Sequence, residues 1–296
     1  MKTLNNGLTI RSGKSMLLAL ALVMLLLPLL AAACATPATQ TETTADVRTV
    51  KVAYAQAARP ITFTTEDGKA SGYDVEVMRL IDERLPQYAF EFVGTSDEDA
   101  LIGVDTGAYA ACVKNVFYTD ARAAKYIYPK ENIGGSNTGL VTRVADKDRI
   151  YDLASLAASG GSLVPIAPQS AQYALVAAYN EKHPEAAIEL KSADDFNLVD
   201  AYTWVAEGRN DAFLNLKALY GFQVEAPDGP FHHLKDKLVY SSFAAIPTWP
   251  LFNKNEQALA DAYDGAIREL KKDGTLKALS QTWFGEDVFE LLDKAP

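Results

Sequence analysis

Along residues 48–292, short runs of strand character alternate with longer runs whose apolar residues fall every three or four positions, and this order restricts the fold most. Thr49-Val50-Lys51-Val52-Ala53-Tyr54 alternates as a first strand. Val77, Met78, Ile81 and Leu85 then share one face of a helix that Asp74 opens as a cap and Pro86 stops. Phe90 and Phe92 mark a second strand, Asp99 to Thr106 a short helix closed by Gly107, and Ala110 to Phe117 a third strand. The alternation resumes with a strand at Leu163–Ala167, a helix at Ser170–Lys182, a strand at Ile188–Leu190, a helix at Asp195–Glu207 ended by Gly208, and a strand at Asp211–Leu214. Two helices finish the chain. Leu259, Tyr263, Ile267 and Leu270 line one face of the first, which Asn253 or Asn255 caps; the second starts at Thr275 and carries Leu276, Leu279 and Trp283. Strand and helix in turn predict an α/β fold.

The N-terminus has a different character. Lys2, Arg11 and Lys14 precede an apolar run from Met16 to Ala33, and Cys34 follows three alanines. A charged start, a short apolar core and small residues before a cut site read as an export signal rather than a membrane span. Cys34 directly after that cut resembles a bacterial lipoprotein signal, which implies lipid on the Cys34 sulfur and an extracytoplasmic, membrane-anchored protein. Residues 1–33 are thus expected to leave as the signal and residues 34–47, rich in Thr, Ala, Pro and Gln, to form a flexible tether. No second apolar run is long enough to span a bilayer.

Charge narrows the partners. The signal takes three of 28 basic residues and none of 38 acidic ones, so the remainder carries a net charge of −13. That excludes a nucleic-acid binder, which needs a basic face. Cys112, in an apolar run, reads as a small buried hydrophobe. His232-His233, expected on a strand, has no carboxylate or cysteine spacing around it, so no metal and no cofactor are expected.

Five segments together resemble the type II periplasmic solute-binding proteins of amino-acid ABC transporters, with the cystine and polar amino-acid binders nearest in character. They are Gly68-Lys69-Ala70-Ser71-Gly72-Tyr73-Asp74, Thr106-Gly107-Ala108-Tyr109, Thr119-Asp120-Ala121-Arg122, Gly208-Arg209-Asn210-Asp211-Ala212-Phe213, and Asp273-Gly274-Thr275-Leu276 with Trp283-Phe284-Gly285. The resemblance implies two α/β lobes joined by two crossing strands near Leu140–Thr142 and Phe243–Ala245. It puts residues 48–137 and 245–296 in lobe 1 and 138–244 in lobe 2. It also implies a monomer that binds an amino acid or related carboxylate between the lobes and delivers it to a permease.

The resemblance makes Arg122 the partner of the ligand's carboxylate, since a planar fork of donors matches a carboxylate. Asn115 and Phe117, just ahead of it, join the site. Gln169 and Ser170 stand where the family uses a turn before a helix, and Ser170 serves equally as a plain N-cap. Many members place an acid for the ligand's ammonium where this chain has Leu216, beside Asn215, and an aromatic where it has Ala58 and Arg59 before Pro60. Either Glu98 replaces the missing acid or the ligand lacks a free ammonium. A dehydratase-like enzyme on the same fold is the competing class; it requires a positioned acid or base, and no nucleophile–base constellation stands in the sequence.

Overall fold

A computed structural model describes residues 47–168, 170–193 and 198–294. The strands are β1 (Arg48–Ala55), β2 (Ala57–Ala58), β3 (Thr62–Thr64), β4 (Ala70–Ser71), β5 (Tyr88–Thr95), β6 (Ala111–Val116), β7 (Gly134–Arg143), β8 (Ala212–Leu216) and β9 (Leu238–Phe252). The α-helices are α1 (Tyr73–Asp82), α2 (Asp97–Thr106), α3 (Asp120–Lys125), α4 (Leu153–Ala158), α5 (Ala171–Lys182), α6 (Leu198–Ala206), α7 (Lys217–Tyr220), α8 (Gln257–Lys272), α9 (Thr275–Phe284) and α10 (Val288–Lys294).

One six-stranded sheet runs β5-β1-β6-β9-β7-β8. β5, β1 and β6 are parallel neighbours, as helical crossovers require. β9 joins the halves: Leu251 and Phe252 pair with β6, while Leu238 to Thr248 pair with β7. Cores form on each side of this junction. One gathers Val52, Val75, Met78 and Ile81 against Phe252, Tyr263 and Ile267. The others gather Tyr202, Phe213, Tyr220 and Phe231, and Leu140, Ile150, Leu156 and Val176. The protein therefore has the expected two-lobed α/β fold with two crossing strands, β7 and β9. Their ladder shifts register between Thr138 and Gly139, and Phe243 opposite is left without a partner there. Gly139 is required at this point because a Cβ would lie 2.2 Å from the Ser241 carbonyl oxygen.

Several local expectations are corrected. Asp74 is not a cap: α1 starts one residue earlier, after Gly72 at φ 111°, and Asp74 points inward, buried, in its first turn. α2 starts at Asp97 because the Ser96 hydroxyl accepts the Asp99 N–H. The strands expected at Leu163–Ala167 and Ile188–Leu190 shrink to isolated bridges, Leu163 with Ala212 and Ile166 with Ser192; Pro165 has no N–H to extend a ladder. Neither Asn253 nor Asn255 caps α8, whose cap residue is Glu256. The Asn253 amide is spent instead on the Val104 carbonyl oxygen and the Asn255 N–H. Gly274 at φ 83° is the cap residue of α9, and Thr275 is its first residue. His232 and His233 lie in a 3-10 turn, not on a strand. The start of the helix expected from Asp195 lies outside the described residues. No helix among the described residues is long and apolar enough to cross a membrane.

Candidate functional site

Arg122 sits in the short helix α3, whose N-cap Thr119 accepts the Arg122 N–H at 3.2 Å. A cation this close to a helix N-terminus is unfavourable by itself. Its side chain is half-buried, and Nη1 donates to the Phe117 carbonyl oxygen at 3.2 Å. That oxygen also accepts from the Tyr128 hydroxyl at 2.8 Å. Burial pushes the Tyr128 hydroxyl up to about 12 against the pull of the Arg122 guanidinium. Arg122 forms no ion pair with any described residue, so most of its five N–H donors are free for a ligand. Tyr118, 54% exposed, stacks at 5.1 Å on Tyr128, which meets Trp249 edge-on at 5.9 Å. Trp249 thus belongs to an aromatic row beside Arg122.

The Phe117 ring reaches the other lobe. It packs with Ile61 of lobe 1 and Leu216 at the end of β8, with Leu219, Ile246 and Phe284 around them. Ile61 and Leu216 also line a cavity of about 10 Å³, room for roughly one water, together with Asn115, Asn137 and Glu286. Asn115 holds a left-handed conformation, φ 57°, rare for a side-chain-bearing residue. Two contacts fix it: its N–H donates to the Asp74 carboxylate at 3.0 Å, and its Oδ1 accepts from the Ser136 hydroxyl at 2.7 Å. Burial raises the Asp74 carboxyl to about 7, with the Asn115 N–H opposing it.

A second cavity has a mixed lining, with Gln172 among its polar residues. It measures about 190 Å³ and is lined by Pro165, Ile166, Ala167, Leu214 and Leu219, with Ser170 and Asn215 also among its polar groups. Ser170 caps α5, its hydroxyl accepting the Tyr173 N–H at 3.2 Å. Asn215 is buried and committed: Nδ2 donates to the Tyr202 hydroxyl at 2.8 Å and Oδ1 accepts the Leu216 N–H at 2.8 Å. Ser170 and Asn215 therefore line one cavity and Asn115 the smaller one, while Arg122 and Phe117 line neither. Glu98 is exposed in the first turn of α2 and lines neither cavity. Gln169 and Cys34 lie outside the described residues.

Other side chains join segments far apart in the chain. Lys217 Nζ lies 3.0 Å from Glu286 Oε2, which also accepts from Asn137 Nδ2 at 3.1 Å. Arg59 stacks on Phe63 at 3.9 Å and reaches Phe222 of the second lobe at 5.5 Å. A cation over two rings thus takes the place where an aromatic was looked for. Glu286 directly follows Trp283-Phe284-Gly285, so that segment was a usable signal; the Arg59 stack depends on side chains 163 positions apart and had none. Cys112 is fully buried, and burial pushes its thiol up to about 12, the state of an inert thiol. Among the described residues, no three His, Cys, Asp or Glu side chains gather as a metal site.

Known proteins resemble this chain in sequence and fold. L-cystine-binding protein TcyJ of Bacillus subtilis is 31% identical over 227 residues, covering 77% of this chain and 80% of that protein. L-cystine-binding protein TcyK of the same organism is 27% identical over 245 residues, covering 81% and 85%. The crystal structure of the probable amino-acid ABC transporter extracellular-binding protein ytmK from Bacillus subtilis superposes with a TM-score of 0.69 at 25% identity, covering 81% of this chain and 99% of that one. The unliganded, open L-cystine solute receptor of Neisseria gonorrhoeae gives a TM-score of 0.58 at 26% identity, covering 82% and 95%. Residues 50–286 match the model of the bacterial extracellular solute-binding proteins, family 3, and the chain belongs to that family.

Proposed function

We infer that this protein is an extracytoplasmic lipoprotein that holds a small amino-acid-like solute between its lobes and hands it to the permease of an ABC importer. Arg122 is the observation that carries the reading. It is a half-buried guanidinium with no acidic partner among the described residues, next to the Phe117 ring that touches the opposite lobe. Such a fork binds a carboxylate in a bidentate pair. Asn115, Phe117, Gln169, Ser170 and Asn215 complete the site, with Glu98 at its rim. Lobe 1 spans residues 48–137 and 245–296, and lobe 2 spans 138–244. The division is supported by cores that draw separately on residues 50–133 with 251–276, and on residues 140–238.

A melting-temperature screen of amino acids and small carboxylates tests the binding role. A ligand at 100 times its dissociation constant adds about 2.7 kcal/mol, a rise of roughly 5–10 °C for a body this size. No shift from any carboxylate would reject it. Cys34 is the lipidated residue of this reading. Cys34→Ser is expected to leave the membrane fraction or to remain unprocessed. Mass spectrometry finding no lipid on Cys34 of the native mature protein would reject the anchor.

A further inference from the structure

Two side chains share one backbone oxygen. The Phe117 carbonyl accepts from Arg122 Nη1 at 3.2 Å and from the Tyr128 hydroxyl at 2.8 Å. We propose that Tyr128 is a positioning residue, which through this oxygen holds the Arg122 guanidinium in the pose that meets the ligand's carboxylate. This rests on Arg122 being the carboxylate's partner.

Arg122 needs such a hold. Its helix α3 is six residues long, and its side chain has that one hydrogen bond and no ion pair among the described residues. A long side chain tethered at one nitrogen keeps rotamer freedom that ligand binding must then remove. The tethering oxygen lies beyond the sheet ladder, because β6 ends at Val116, one residue before Phe117. A carbonyl oxygen has two lone pairs. Tyr128 occupies one, so the carbonyl keeps its direction and offers the other to Arg122.

Tyr128 is itself held from the sheet. Its neighbour Ile127 exchanges two backbone hydrogen bonds with Phe252 at the end of β9, at 2.8 and 3.0 Å. Trp249, on the same strand, pairs with Val116 through its backbone and meets the Tyr128 ring edge-on at 5.9 Å. Tyr118 packs on that ring at 5.1 Å. Burial raises the Tyr128 hydroxyl to about 12, with the Arg122 guanidinium and the Thr119 N–H opposing, so it is a donor at neutral pH. A phenylalanine would keep both ring contacts. The hydroxyl alone reaches the Phe117 oxygen, so Tyr128→Phe isolates the positioning role.

L-cystine and the standard amino acids are titrated calorimetrically into the unaltered protein, and the one bound most tightly is the probe. Tyr128→Phe is expected to bind it about tenfold more weakly, roughly the worth of one net hydrogen bond. In the ligand-free protein, NMR relaxation of the Arg122 Nε–H, identified by its loss in Arg122→Ala, should give a lower order parameter in Tyr128→Phe than in the unaltered protein. A hydroxyl that only satisfies a buried carbonyl would lower the melting temperature and leave both readings as they were. An affinity within about twofold of the unaltered protein's, or weaker binding with an unchanged Arg122 order parameter, overturns the positioning role while Arg122→Ala still loses the probe. Failure of the underlying carboxylate assignment looks different: Arg122→Ala then binds the probe as the unaltered protein does, or no amino acid binds, and the positioning role falls with it.

Discussion

Lys217 Nζ and Glu286 Oε2 lie 3.0 Å apart and tie the helical turn after β8 to the segment between α9 and α10. Because Glu286 also accepts from Asn137 on β7, three segments meet at one carboxylate beside the Leu216–Phe117 contact. In the proposed division into lobes, hinge opening would separate this pair.

Lys217→Met is therefore expected to shift the ligand-free protein toward an open form, read as a larger radius of gyration in solution scattering. The lysine side chain is 44% exposed, so the pair is worth under about 1 kcal/mol. The melting temperature falls by no more than about 4 °C. Identical scattering curves would show that the pair does not hold the lobes.

Asp74 makes stability depend on pH. Its folded carboxyl titrates at about 7, raised by burial from 3.8, so the native chain keeps a proton that the unfolded chain has released. Stability consequently falls as pH rises from about 4 to about 7, by roughly 3–4 kcal/mol in total from this group. Asp74→Asn keeps an acceptor for the Asn115 N–H and cannot ionise. Denaturant titrations across that window should show the slope flattened in the variant; an unchanged slope would assign it elsewhere.

Asp211 acts in the opposite direction. Burial pushes its carboxyl up, but the Ser162 N–H and hydroxyl and Arg143 outweigh that and hold it below 3.8. Its contribution is therefore present above about pH 4 and is lost as pH falls through the lower folded value. Asp211→Ala is expected to cost about 1–3 kcal/mol at neutral pH, since the Ser162 N–H loses its acceptor and Arg143 keeps only Asp146 and two carbonyls. Chemical denaturation at pH 7 checks this, and a change under 0.5 kcal/mol would contradict it.

Gly139→Ala should disturb the crossing strands. The added methyl would lie 2.2 Å from the Ser241 carbonyl oxygen and 2.8 Å from the Tyr240 ring, whose hydroxyl holds the Asn137 and Asn215 carbonyls. A loss of about 1–3 kcal/mol is expected, with faster amide exchange in β7 and β9. Full stability with native exchange rates would mean that the junction yields at little cost.

The fold was legible because its signals are local. Leu259, Tyr263, Ile267 and Leu270 fall on one helical face and are buried there, and Gly107, Gly208 and Gly274 adopt the positive φ that helix ends favour. Asp74 was misread because a carboxylate at a helix start is ordinarily a cap, and only the fold brings the Asn115 N–H to it. The site was partly legible. Arg122 stood out as a cation in an unfavourable place, whereas the commitment of Asn215 to Tyr202 and the joining of Lys217 to Glu286 depend on distant side chains. Leu216 was visible as a departure; the apolar contact that it makes with Phe117 and Ile61 was not.

Arg122 is the residue on which the account turns, and calorimetry of Arg122→Ala is its most direct test. The probe is the carboxylate that gives the largest melting shift with the unaltered protein. Removing one partner of a desolvated ion pair costs about 2–5 kcal/mol, so affinity should fall roughly 30- to several-thousand-fold. The ligand-free melting temperature should change little, because Arg122 makes one side-chain hydrogen bond, to the Phe117 carbonyl, and no ion pair among the described residues. An affinity equal to that of the unaltered protein, in a variant that still folds, would contradict the carboxylate-binding role of this cleft.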